Sequence, residues 1–590
     1  MLSAKAEIIK LLEKETGLKL SLDDIDYSPH ADLASNVCFK LAEKVGKPPA
    51  EVAESLASKI KPSGFVARVE AKNGFLNFFL DYERFGAHVL EEAVKKDYGR
   101  GSSKKDKIIL EHTSVNPSGP VHVGRLRNSI IGDSLRRILS YAGYPVETHY
   151  WVNDVGKQIA MIATVLFDSQ KVAQAFKGRH FEYPILDKEY DYTKYVDTYL
   201  KYVKKDDFKI LVYYVAANTL FENEEPFRKI VQELIYQAEN GDKSSLEKIK
   251  KAANQCLRGQ KQTYDRLGFH FDSFEYESEE VESGRVFKVL DKLKKSKYWT
   301  SKEDIGAGLD LSSFGIEKRS GLSVCQRIDD TTVYLSRDLS YHLWKLERDA
   351  DVLINVLGED HKLEFEELST ILTKILGVKK LLEVVHFSFV NFEGRQLSTR
   401  RGETLPVDLL LDEAEEKALF EIEERGIGAP ETATEIGIGA VKYHIIKTAP
   451  TKPITFRWEE ALSFEGDAAP YIQYAHARSA RIIEKSEVSE KEISSNKADC
   501  SGLHDEERNV LLDLSRFPEV ISKSAEERKP HLLANYVYEL ASSYSRFYKE
   551  CPVLTGDEKL SVRRLKIVYA VKNTISFGLD LLGISSPTRM

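Results

Sequence analysis

The sequence predicts an α/β protein built on a parallel sheet with a helical insertion, preceded by a small α+β domain and followed by an all-helical domain. Three observations carry this reading. Short apolar, β-branched runs alternate with helical periodicities through the middle of the chain, namely KIILEHT from Lys107, YPVETHYWV, DVLINVLG and EVVHFSF, a pattern expected of a parallel sheet. A Tyr-, Lys- and Glu-rich helical region from about 165 to 270 interrupts that alternation. From about 430 onward periodic apolar helices dominate, among them APYIQYAHARSARIIEK and LLANYVYELASSYSRFYKE.

In chain order, residues 1 to 93 read as the α+β domain. MLSAKAEIIKLLEKETG has a helical period and lacks the apolar core of a secretion signal. A second helix is expected around Ala50 to Ile60, then one strand, VARVEAKNGFLNFFL, with aromatic side chains on both faces. Residues 94 to 106, polar and Gly/Lys-rich, read as a linker. The sheet domain then spans 107 to 425 with its insertion, and the helical domain 426 to 590.

The chain has 590 residues, 42% hydrophobic and 30% charged, enough for roughly three or four domains. Its net charge of −8 means that a nucleic-acid partner must be met by local basic surfaces. The last thirty residues supply one, with five Lys or Arg against one Asp. Cys38, Cys256, Cys325, Cys500 and Cys551 show no zinc-ligand spacing, which fits a reduced cytoplasmic protein without protein-bound zinc. No run is long enough to span a bilayer.

The chemistry concentrates at a few turns. After KIILEHT comes NPSGPVHVGRLRNSIIGD, in which prolines and glycines allow a tight turn into a helix whose apolar stripe is Ile130, Ile131, Leu135, Ile138 and Leu139. The N-H groups opening such a helix attract an anion, and His122, Arg125 and Arg127 add movable donors, so a phosphate is the expected guest. About 270 residues later, GRQLSTRRGE places Ser398, Thr399, Arg400 and Arg401 on a Gly-bounded loop able to close on a triphosphate. A structural turn and a solvated basic loop are the bland readings of the two, each taken alone. Asp338 in TVYLSRDLSYHL could likewise pair with Arg337 or cap a helix.

The element from His122 to Arg125 resembles the HIGH motif of class I aminoacyl-tRNA synthetases, and its flanks, with YWVNDVGKQ, resemble the arginyl-tRNA synthetase version. The loop from Gly394 is similar to that family's KMSKS loop. Arg125 stands where the family usually has His, and Gln396 where Lys is usual, with either Arg395 or the pair Arg400 and Arg401 to supply the missing charge. The resemblance implies a Rossmann-like catalytic domain and an arginine–tRNA ligase acting through arginyl-adenylate. It assigns catalytic roles to His122, Gly124, Arg125, Ser398, Arg400 and Arg401, and ATP contacts to His122, Gly124, Gly358, Asp360, His361, Leu397 and Ser398. Arginine would meet Glu111, Asn116, His122, Tyr334, Asp338 and Glu359, with Tyr334 and Asp338 at the guanidinium, Glu111 as a further acidic wall and Asn116 at the α-amino end. tRNA would meet Asn73, Phe75 and Asn77 in the first domain and Tyr471, Gln473, Tyr474 and Arg478 in the last. ATP with its accompanying Mg²⁺, arginine and tRNA(Arg) are the implied partners of a monomer. A different class I synthetase and a non-catalytic tRNA-binding relative are the alternatives.

Overall fold

The computed structural model describes residues 1–167, 201–392, 405–426 and 430–590. The chain divides into two compact units: residues 1–102, 422–436 and 463–590 form one, and residues 103–421 with 437–462 the other.

The first unit opens with the helix Leu2–Thr16, which buries Ala4, Ile8 and Leu12 at four-residue spacing and stops at the left-handed Gly17. A four-stranded antiparallel sheet follows, in the order β1 (Ile25–Ser28), β2 (Ala31–Ser35), β4 (Phe75–Leu80), β3 (Val66–Lys72). The segment expected as one strand is therefore a hairpin. Asn73 and Gly74 both take positive φ, 53° and 84°, the conformation a tight two-residue hairpin turn requires. This domain packs on the C-terminal helices: Lys5 pairs with Glu519 at 2.7 Å, and the Tyr98 hydroxyl donates to Leu514 O at 2.7 Å. Tyr98, in the expected linker, is thus buried. The helices Ala469–Ser486, Asp505–Glu526, His531–Glu550 and Glu558–Leu581 form the all-helical part.

The second unit is built on the expected parallel sheet, in the order β12 (Leu381–Phe387), β11 (Val352–Gly358), β5 (Ile108–Glu111), β6 (Val146–Val152), β7 (Ser273–Tyr276), while β8 (Trp299–Lys302), β9 (Gly306–Leu309) and β10 (Ser323–Gln326) form a separate antiparallel sheet. Every neighbouring pair of the five-stranded sheet is parallel. All four residues of β5 are buried, as in a sheet covered on both faces. The helical insertion lies between β6 and β7 and includes Lys157–Phe167, Asp206–Asn223, Glu225–Glu239 and Lys243–Arg266. It has its own core, in which Ile159, Ile162, Leu220, Val231 and Ile249 meet.

Candidate active site

From the central pair β5 and β11 the sheet continues to β6 and β7 on one side and to β12 on the other. Ligands of such sheets sit at the carboxyl ends of the strands where the winding reverses. Glu111 closes β5 at its carboxyl end and stands in register with Asn355 of β11.

Beyond β5 the backbone is strained. Thr113 and Ser114 take φ of 72° and 43°, a region that residues other than glycine rarely adopt and that β-branched Thr113 favours least. The surroundings hold them there: the Thr113 amide donates to Asn128 Oδ1 at 2.9 Å, its hydroxyl to Ser129 Oγ at 3.0 Å, and the Trp151 amide to Ser114 Oγ at 3.1 Å. The turn delivers His122 to the N-cap of the helix Val123–Tyr141, where its imidazole makes no capping bond. Burial, with the charge of Arg125 behind it, lowers the His122 pKa to about 4, so the ring is neutral at physiological pH. A β-carbon at Gly124 would stand 3.0 Å from His122 Nδ1, and glycine keeps that ring clear. Arg127 is not a movable donor. It is fully buried, with Nη1 donating to Ser388 O at 2.7 Å and Lys452 O at 2.8 Å, and Nη2 to Ala449 O at 3.0 Å.

The downstream motif's flank reaches this same place. The Val123 amide donates to Leu405 O at 3.0 Å and the Val407 amide to Val121 O at 2.8 Å, with His122 bridged to Pro406 between them. Leu397, Ser398, Arg400 and Arg401, with Arg395, Gln396 and Thr399, lie outside the described residues.

The helix Tyr334–Glu347 supplies the other end of the site. Asp338 does not pair with Arg337, which donates instead to Glu277 Oε1 at 2.6 Å. Asp338 Oδ1 lies 3.0 Å from His342 Nδ1. His342 Nε2 lies 3.2 Å from Lys345 Nζ, which donates to Glu111 Oε2 at 2.8 Å. Asn355 closes the circuit, its Nδ2 donating to Glu111 Oε2 at 3.0 Å while its Oδ1 faces His342 Nε2 at 3.2 Å. Glu111 and Asp338, 227 positions apart in the chain, thus belong to one hydrogen-bonded network. Partial burial works to raise the Asp338 carboxyl, but the charge and hydrogen bond of His342, with Lys345 and His361 beyond, hold it below the ordinary carboxylate range.

Tyr334, on the first turn and half exposed, borders a cleft together with Asn116, Asn153 and Gln158. Asn116 donates to Gln158 Oε1 at 3.1 Å. With its amide nitrogen turned towards Glu277, Asn153 donates to Glu277 Oε2 at 2.6 Å and Val155 O at 2.8 Å. At Gly156, φ is 120° and a β-carbon would stand 3.3 Å from the Tyr334 hydroxyl, so the close approach and the backbone both call for glycine. Gly358 ends β11, and Glu359, Asp360 and His361 form the single turn after it, with His361 Nδ1 2.8 Å from Glu364 Oε2.

The residues expected at tRNA divide by exposure. Asn73 caps the hairpin, and Phe75 is exposed, its ring edge-on to Phe39 at 4.9 Å. Asn77, by contrast, is buried between strands β2 and β3 and accepts from Ser28 Oγ at 3.4 Å. Arg478 lies over the rings of Tyr474 and Tyr548, at 4.6 and 4.5 Å, and the Tyr471 hydroxyl donates to Ser545 Oγ at 3.0 Å. Gln473 has no exposed surface and donates to Ser585 O at 2.9 Å, so as placed it ties down the C-terminal segment and does not face a base.

His342, Lys345 and Asn355 were not legible as site residues from motif spacing. The signal was nevertheless present: Asp338, His342 and Lys345 stand at i, i+4 and i+7, one stripe of a helix.

Three family models cover the chain. The arginyl tRNA synthetase N-terminal domain matches residues 3–80, the class I (R) tRNA synthetase catalytic domain residues 88–195 and 191–458, and the DALR anticodon binding domain residues 472–590. An arginine–tRNA ligase of Methanocaldococcus jannaschii is 40% identical, over 100% of this chain and 99% of its own. That of Methanocella arvoryzae is 38% identical, over 99% and 100%. Among solved structures, the Thermus thermophilus arginyl-tRNA synthetase superposes with a TM-score of 0.79 at 27% identity, covering 100% of this chain and 99% of that one. With a matching sheet, matching domains at both ends and relatives aligned along its whole length, the chain belongs to the arginyl-tRNA synthetase family of class I aminoacyl-tRNA synthetases.

Proposed function

We propose that the chain is an arginine–tRNA ligase, which converts arginine and ATP to arginyl-adenylate and pyrophosphate and then passes the arginyl group to the 3′ end of tRNA(Arg). The observation that carries this reading is the joining of Glu111 and Asp338 in one network, with Tyr334, which lines a cleft with Asn116, on the same helix as Asp338. A guanidinium is planar and permanently charged, and a carboxylate held in its plane accepts paired N-H bonds. Asp338 supplies that carboxylate, Tyr334 flanks it, Glu111 stands behind it with Lys345 as its counter-ion, and Asn116 takes the α-amino end.

In the first step an oxygen of arginine's carboxylate attacks the α-phosphorus of ATP, and the bond to the bridging oxygen breaks with its electrons leaving on pyrophosphate. In the second, a ribose hydroxyl of the tRNA terminus attacks the adenylate carbonyl, AMP departs, and the hydroxyl proton is lost. Neither step needs a protein nucleophile; position and charge lower the barrier. His122, neutral, offers a hydrogen bond to phosphate. Gly124 lets the nucleotide approach the backbone, and Arg125 adds a fixed positive charge, with Leu397, Ser398, Arg400 and Arg401 completing the phosphate end. Gly358, Asp360 and His361 serve the ribose side, and Glu359 the substrate amine. Magnesium arrives with the nucleotide substrate.

Asn73 and Phe75 meet the outer corner of tRNA, and Tyr471, Tyr474 and Arg478 its anticodon region, where aromatic faces stack on splayed bases. The enzyme works as a cytoplasmic monomer. Its five cysteines are buried and unpaired, and among the described residues no helix is long and apolar enough to cross a membrane. A charging assay of the purified chain with tRNA and each amino acid in turn tests the reading. Attachment of arginine alone is expected; tight tRNA binding without arginine attachment overturns it.

A further inference from the structure

His342 Nδ1 lies 3.0 Å from Asp338 Oδ1 and 2.9 Å from the main-chain oxygen of the same residue. Two acceptors on one ring nitrogen place a proton there, and they fix the imidazole and the carboxylate rotamer together. The His342 side chain is 1% exposed, whereas that of Asp338 is 41% exposed. A buried, anchored ring therefore holds a carboxylate whose other side faces solvent. The two acidic groups of the network also differ in their partners. Glu111 is paired with Lys345, but among the described residues no Lys or Arg nitrogen lies within ion-pair distance of Asp338.

We infer that His342 is a positioning residue for the amino-acid substrate: it holds Asp338 in the orientation that receives the guanidinium, while Lys345 balances Glu111 and leaves Asp338 as the carboxylate open to an incoming cation. This rests on the arginine reading above. Bidentate recognition makes the orientation matter, because a carboxylate that rotates out of the guanidinium plane keeps its charge but loses one of two N-H bonds. A displacement of this kind costs substrate affinity without touching the nucleotide end.

The test is steady-state charging by His342→Ala, His342→Asn and His342→Gln, with thermal denaturation of each. His342→Ala is expected to raise the arginine KM about ten- to a hundredfold and to leave the ATP KM within about twofold. His342→Asn, whose amide nitrogen stands near the Nδ1 position, recovers most of the loss; His342→Gln, which reaches towards the Nε2 position, recovers less. Where the alanine variant does not fold, the contrast between Asn and Gln carries the test. An arginine KM within about twofold of the wild type in His342→Ala, arginine and ATP KM rising in step, or equal impairment of the Asn and Gln variants overturns the inference. Failure of the wild-type chain to attach arginine would instead overturn the reading beneath it.

Discussion

Lys345 Nζ lies 2.8 Å from Glu111 Oε2, and both side chains are buried, so Glu111 carries its own counter-ion. The pair spans β5 and the helix Tyr334–Glu347, and Asn355 of β11 donates to the same oxygen. Removing one partner of a buried pair strands the other charge, at a cost of about 3–5 kcal/mol. Lys345→Met should therefore lower stability by about that amount in denaturant or thermal unfolding. Adding Glu111→Gln to it should restore most of the loss, because no unbalanced charge remains. If the double variant is as unstable as Lys345→Met, the ion pair is not what joins strand to helix.

Asp338→Asn keeps the shape of the side chain and its place on the helix while removing the charge offered to the substrate. An amide also presents an N-H where the guanidinium presents its own, so one of two hydrogen bonds becomes a repulsion. The expected outcome is an arginine KM raised by about a hundredfold or more, with the ATP KM close to wild type. Amino-acid-dependent charging kinetics measure both, and an unchanged arginine KM would sink the pocket assignment.

The fold was legible in the sequence because a parallel sheet buried on both faces writes continuous apolar strands, as in Ile108 to Leu110 and Val352 to Ile354. The split of VARVEAKNGFLNFFL into a hairpin was signalled by its Asn73–Gly74 pair, which the strand alternation around it obscured. The turn after β5 announced itself through glycine and proline, residues whose backbone limits are local. Pairings across the fold were harder to read. Arg127 looks like a surface cation in a basic motif, and only the packing of residues 388 and 449–452 around it shows that its charge is spent on carbonyls. Gln473 and Asn77 likewise sit near residues the fold leaves half-buried or exposed, Tyr474 and Phe75, and helix and strand periodicity alone did not say which face the fold would cover.

Arg127 joins the helix that begins at His122 to the loops at Ser388 and Ala449–Lys452 through three carbonyl oxygens. Arg127→Met would leave those acceptors, one buried and two partly buried, without their donor, at a cost of up to about 1–3 kcal/mol for each that stays unsatisfied. Stability should fall by several kcal/mol, roughly 3–5, and Arg127→Lys, with one point charge in place of a fork, should recover only part of it. Urea unfolding compares the three proteins, and a methionine variant within about 0.5 kcal/mol of wild type would show that the carbonyls find other donors.

His112 gives the protein an acid limit. Its ring is wholly buried between β5 and the helix Val123–Tyr141, where a β-carbon at Gly132 would come within 2.1 Å of His112 Cγ, and Nδ1 meets Thr113 Oγ1 at 2.8 Å. Burial, with Arg136 adding to it and Asp133 opposing, lowers the His112 pKa from 6.5 to about 4. The folded state thus disfavours the protonated ring, and the unfolded chain takes up the proton first. The stability this contributes is present above pH 6.5, declines as the pH falls, and is lost once the pH passes below about 4. A depression of that size corresponds to roughly 3 kcal/mol between the two limits. His112→Phe keeps a ring of similar size that cannot titrate, so its stability should depend less steeply on pH across that window. Thermal unfolding of both proteins between pH 4 and 7 makes the comparison, and parallel pH profiles for the two would show that other buried groups set the acid limit.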